Sequence, residues 1–157
     1  MSASALLAPP ARFLRTAHLE RDFGTVGALD GYVLTPHVRD VAARIGAALR
    51  PGATGRAWRV TGDYGTGKSS FGLALAHVLS TPDGSLPGVR EAIHDALDGA
   101  PAPRLLPVLL TGSREGMGPA LARALGAARA RLGAAPEAPD LFDQSADADV
   151  LGLLDET

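Results

Sequence analysis

Apolar residues recur every three or four positions in four stretches of the chain, and each stretch is bounded by residues that start or stop helices. Thr35 is placed to cap a helix with Pro36 in its first turn, and Val38, Val41, Ala42, Ile45 and Leu49 share one face of it. Arg50-Pro51-Gly52 ends that helix. Phe71, Ala74, Leu75, Val78 and Leu79 predict a second helix over 70–80, stopped by Pro82 and Asp83-Gly84. Val89, Ala92, Ile93, Ala96 and Leu97 predict a third, closed by Gly99. A fourth opens at Gly118-Pro119, turns Leu121, Leu125, Ala128 and Leu132 toward the core, and ends at Gly133.

Two shorter runs predict strands: Ala57-Trp58-Arg59-Val60-Thr61, and residues 105–111. Pro107 cannot donate to a ladder, so it belongs at a strand start or edge. This alternation of elements is the pattern of an α/β fold, a parallel sheet flanked by helices. Residues 1–30 carry proline, glycine and mixed charge without a period, and read as a loosely ordered lead-in. Residues 134–139 read as a linker.

The turn between the first strand and the second helix carries the chemistry. Gly62-Asp63-Tyr64-Gly65-Thr66-Gly67-Lys68-Ser69, followed by Ser70, sets three glycines, a lysine and a hydroxyl at the mouth of a helix. Glycines reach the positive φ angles of a tight turn and let the backbone approach an anion closely. The first N–H groups of the helix lack intrahelical partners and point at the same place. Lys68 is placed to reach the β- and γ-phosphates of a nucleoside triphosphate, and the Ser69 hydroxyl to ligate Mg²⁺. Of the 15 basic residues, Lys68 is the one lysine. A compact ammonium fits between phosphate oxygens and backbone where a planar guanidinium does not.

This loop is a Walker A motif, and its surroundings resemble those of AAA+ and related bacterial P-loop ATPases, over about residues 30–133. The run Gly-Asp-Tyr-Gly-Thr-Gly-Lys-Ser-Ser-Phe is also similar to large ATPases of phage-defence systems. The resemblance implies that 31–157 is a P-loop nucleotide-binding domain with ATP and Mg²⁺ as ligands, acting as a homo-oligomer or within a larger complex. It places Tyr32, Val33 and Leu34 near the base, although a hydrophobic staple for the helix at Pro36 explains them as well. Guanine-specific relatives use a second, lysine-containing motif, which a chain with one lysine does not hold, so adenine is favoured.

Hydrolysis in that family needs an apolar strand ending in Asp-Glu. The one local candidate is Val150-Leu151-Gly152-Leu153-Leu154-Asp155-Glu156, where Asp155 would support Mg²⁺ and Glu156 would polarise water. The same residues fit an acid-capped helix, which their glycine and single β-branched residue favour. Sensor residues, an arginine finger and a helical lid come later in the family's order, so the chain is expected to be the front portion of a longer ATPase with an incomplete sheet, binding nucleotide without efficient hydrolysis. A small-molecule P-loop kinase and a non-hydrolysing nucleotide-binding scaffold are the competing readings.

Composition narrows the rest. A net charge of −2 over 157 residues gives no reason for tight nucleic-acid binding by this segment, leaving that to a missing remainder. The absence of cysteine excludes disulfides and thiolate metal sites and suits a reducing cytoplasm. No apolar run is long enough to cross a bilayer, so neither a membrane partner nor a secretory leader is expected. His18, His37, His77 and His94 have no metal-ligand spacing, and the glycine-rich stretch 112–118 lacks a lysine. Arg123, Arg129 and Arg131 read as the solvated side of their helix.

Overall fold

The computed structural model describes residues 16–25, 27–81, 86–112 and 114–133. Five helices account for 49% of them: α1 (Leu19–Asp22), α2 (Pro36–Ala48), α3 (Lys68–Ser80), α4 (Pro87–Ala96) and α5 (Met117–Arg131). No described residue belongs to a strand, so the expected parallel sheet is corrected to a helical architecture. The reason lies in where backbone groups find partners. Residues 57–61 belong to no helix or strand, their N–H and C=O groups bond to no other described residue, and Trp58 and Val60 keep 40% and 45% of their surface exposed. In the second expected strand the Leu105 N–H donates to the Leu79 carbonyl at the end of α3. The Pro107 carbonyl accepts from Arg131 Nη1 of α5. Strands are stabilised by cross-strand pairs, and helices take the bonds that a ladder would need.

The chain divides into two compact units, 1–105 and 106–157. In the first, α2, α3 and α4 enclose a core of Ala42, Ile45, Phe71, Val78, Val89, Ala92, Ile93 and Leu97. The predicted faces of these helices pack into or against this core, although Leu73 of α3, outside the predicted face, is buried as well. The Thr35 hydroxyl caps α2 by accepting from the Val38 N–H. The α2–α4 contact is unusually close. A Cβ built on Gly46 would lie 2.8 Å from the Ile93 carbonyl oxygen and 3.0 Å from its Cα. Arg50, just beyond α2, donates through Nε to the Ala96 carbonyl at 2.7 Å and so satisfies the end of α4.

From residue 16 on, the described part of the lead-in is more ordered than its composition predicts. His18 caps α1 by accepting from the Arg21 N–H through Nδ1, and its own N–H donates to the Asp22 carboxylate at 2.8 Å. Arg21 closes a fork on the same carboxylate, Nε to Oδ1 at 2.8 Å and Nη2 to Oδ2 at 3.0 Å. Asp22 is buried with these donors around it, as a buried carboxylate must be. The segment rests on α3, with Leu19 against Gly72 and the Phe23 ring 4.7 Å from the His77 ring.

Burial against this segment lowers the His77 pKa from its ordinary 6.5. The neutral imidazole is therefore the native form, and the unfolded chain binds the extra proton. Stability from this contact is complete above pH 6.5 and is lost as pH falls below it. The melting temperature is expected to drop between pH 7.5 and 5.5, and a His77→Phe variant to flatten that drop. Equal pH dependence in both proteins would remove His77 as the cause.

In the second unit, α5 starts at Gly116 beside a Glu115–Arg123 ion pair of 2.6 Å. Its buried row is Ala120, Ala124 and Ala128, so of the expected face only Ala128 is fully buried, with Ala120 and Ala124 in place of Leu121 and Leu125. Leu121 and Leu125 are half-buried, and Leu132 is 64% exposed. The close fit of small residues, rather than leucine bulk, sets which side of this helix turns inward.

Candidate functional site

The site is built where the segment after α2 turns into α3. Thr61 through Gly67 are all exposed, and Tyr64 most of all at 92%. Gly65 and Gly67 both adopt φ of 83°, the left-handed region where a side chain is costly. Gly67 is also the N-cap of α3, with no side chain to cap it. The first backbone bond of the helix is Phe71 N–H to the Gly67 carbonyl at 2.9 Å. The N–H groups of Lys68, Ser69 and Ser70 consequently have no partner among the described residues. Three amide donors at the positive end of a thirteen-residue helix form an anion-binding mouth.

Side chains within the loop fix its shape. The Thr66 hydroxyl donates to the Asp63 carbonyl at 2.8 Å, and its oxygen lies 2.9 Å from where a Cβ on Gly62 would stand. Lys68 folds back across the turn, its Nζ donating to the carbonyls of Gly62 at 2.8 Å and Asp63 at 2.6 Å. The ammonium is thus held at the loop, with its third N–H available to an incoming anion. The Ser69 hydroxyl makes no hydrogen bond to a described residue, which leaves its oxygen open to a cation. Ser69 and Ser70 sit half-buried in the first turn of α3.

Two clefts flank the loop. One, of about 470 Å³, is lined by Lys68, Thr66 and Gly62, with His37, Val38 and Phe71 across from them. The other, of about 420 Å³, is lined by Gly67 and Ser70, with Asp22, Asp30 and Leu29 opposite. Tyr32 and Val33 border both clefts, and Gly67 is where the clefts meet. Burial raises the Tyr32 phenol pKa, so the hydroxyl stays protonated and able to donate.

The structure brings Gly62, Asp63, Tyr64, Gly65, Thr66, Gly67, Lys68, Ser69 and Ser70 together at one helix mouth. Asp155 and Glu156 lie outside the described residues. Among the described residues no group of three or more His, Cys, Asp or Glu side chains could hold a metal ion. Asp22 and Asp30 beside the loop were not legible as site residues; the buried position of Asp22 follows from the α1 capping network. No helix of the described residues is long and apolar enough to cross a membrane. Compared with protein-family models, curated proteins and solved structures, the chain matches none.

Proposed function

We propose that this chain is a nucleotide-binding module of the AAA+-like ATPase kind, taking ATP with Mg²⁺ and converting its binding into a conformational or assembly change. The observation that carries the reading is the uncapped N-terminus of α3, entered through two left-handed glycines and overlaid by the chain's one ammonium side chain. The β- and γ-phosphates would replace solvent at the amides of residues 68–70 and share the Lys68 ammonium. Mg²⁺, held between phosphate oxygens and the Ser69 hydroxyl, would neutralise charge and fix the phosphate geometry. Tyr32 and Val33 stand at the edge of both clefts, where they would border the nucleoside. Binding, not turnover, is what these residues support.

Ligand that binds only the folded state raises its stability by RT ln(1 + [L]/Kd), about 2.7 kcal/mol at a hundredfold excess over Kd. For a chain of this size that is roughly 5–10 °C in melting temperature. Mg-ATP is expected to produce such a shift, and inorganic tripolyphosphate with Mg²⁺ a smaller one. A melt unmoved by either at millimolar concentration would end this reading.

A further inference from the structure

We propose that the surface around Trp58, formed by α2 and the segment before the phosphate loop, binds single-stranded nucleic acid. Between Asp40 and Asp63 the chain has four arginines, Arg44, Arg50, Arg56 and Arg59, and no acidic residue. Arg44 lies against the one tryptophan in space, and Arg56 and Arg59 lie within two residues of it in sequence. The Arg44 guanidinium lies over the Trp58 indole, 5.5 Å from its centroid. Arg56 is two residues from Trp58, and Arg56, Trp58 and Arg59 are all exposed. The Arg56 Nη2 is 3.5 Å from the Arg50 backbone carbonyl, whereas the Arg50 guanidinium is turned to the Ala96 carbonyl at the end of α4. Asp98 stands 3.9 Å from Arg50, and Asp40 lies one helical turn before Arg44 on α2; pairs this exposed are too weak to neutralise the arginines.

A structural role explains only part of this. The cation–π contact accounts for Arg44 over the indole, worth about 0.5–1 kcal/mol at an exposed position. It does not account for a half-exposed tryptophan, for Arg56 beside it, or for a stretch of twenty-two residues free of carboxylates. A flat aromatic surface set among guanidinium groups meets both demands of a nucleic-acid strand, a stacking surface for bases and cations for the backbone. An acidic peptide would use the charge and leave the indole idle. The overall charge of −2 is no obstacle, because the arginines are local and the acidic residues lie elsewhere in the chain.

Trp58 is the chain's single tryptophan and reports directly on this surface. Titrating the intact protein with a short oligo-dT at low salt is expected to quench its fluorescence saturably. Three arginines neutralising phosphates on a single strand give a slope of log K against log[salt] of about −2. Arg56→Glu is expected to weaken binding by about tenfold at low salt, while Arg90→Glu, the same charge change on α4, leaves it unchanged. Lys68→Ala should bind the oligonucleotide as the unaltered protein does, which separates this surface from the phosphate loop. Polyglutamate should fail to displace the oligonucleotide. Absence of saturable quenching, a slope near zero, loss of binding in Lys68→Ala, or equal displacement by polyglutamate would each overturn the proposal. The salt slope is measured on unaltered protein, so it stands even if a variant misfolds.

Discussion

Gly46→Val is expected to unfold the first unit at ordinary temperatures, the largest stability loss of any single change in it. A Cβ at this position meets the Ile93 carbonyl at 2.8 Å and the Ala96 Cβ at 3.2 Å. Backbone cannot yield as a flexible side chain can, so α2 and α4 must move apart. Ala42, Ala92, Ile93 and Leu97 would then lose contacts made across the same seam. Overpacking of this kind costs about 1–3 kcal/mol for a modest excess and more for a branched side chain. Gly46→Ala is the informative intermediate, because alanine gains about 1 kcal/mol of helix propensity over glycine. At Gly126 of α5 nothing lies within 4 Å of the added carbon, so Gly126→Ala should stabilise by roughly that amount. Thermal melts of the three variants therefore test the close approach separately from propensity. A Gly46→Ala protein as stable as Gly126→Ala would show that the seam has slack.

Lys68→Ala is expected to abolish the Mg-ATP melting shift, the largest effect on binding of any substitution in the loop. Its ammonium is the one full positive charge placed over the turn, and it is already held there by two carbonyls. Removing it leaves amide dipoles alone to meet a strongly charged triphosphate. A hydrogen bond to a charged group is worth roughly 1.5–3 kcal/mol, which is about ten- to a hundredfold in affinity. Lys68→Arg should not restore binding, because a guanidinium cannot sit between the Gly62 and Asp63 carbonyls and still offer one compact charge outward. The fold should survive, since Lys68 lies outside the core. A full shift in Lys68→Ala would move the nucleotide away from this loop.

The helices were legible from sequence because their signals are local. Thr35 and Pro36 mark the start of α2, Gly99 and Gly133 follow the ends of α4 and α5, and periodicity picks out Ala42, Ile45, Val89 and Ile93 as core. The loop was legible because its conformation depends on glycines that the sequence displays. The strands were not, for a strand exists only through its partners. Residues 57–61 have the composition of one, yet nothing among the described residues pairs with them. The cap of α1 was missed for a different reason: His18 serves as N-cap acceptor, outside the usual serine, threonine, aspartate and asparagine set. On α5 periodicity picks out Ala128 but takes Leu121 and Leu125 in place of Ala120 and Ala124, because alanines carry little hydrophobic signal while packing closely.

The hold of Gly62 and Asp63 on the Lys68 ammonium has a practical corollary for chemical modification. A polypeptide with a single ε-amine directs every acylating reagent that seeks lysine side chains to one atom. That atom is engaged in two hydrogen bonds before any reagent arrives, so its acylation rate reports how often the turn lets go. A lysine-selective protease has likewise one peptide bond to cut, between Lys68 and Ser69, at the opening turn of a helix. Both reactions read the same opening, and occupancy of the loop by an anion slows both together.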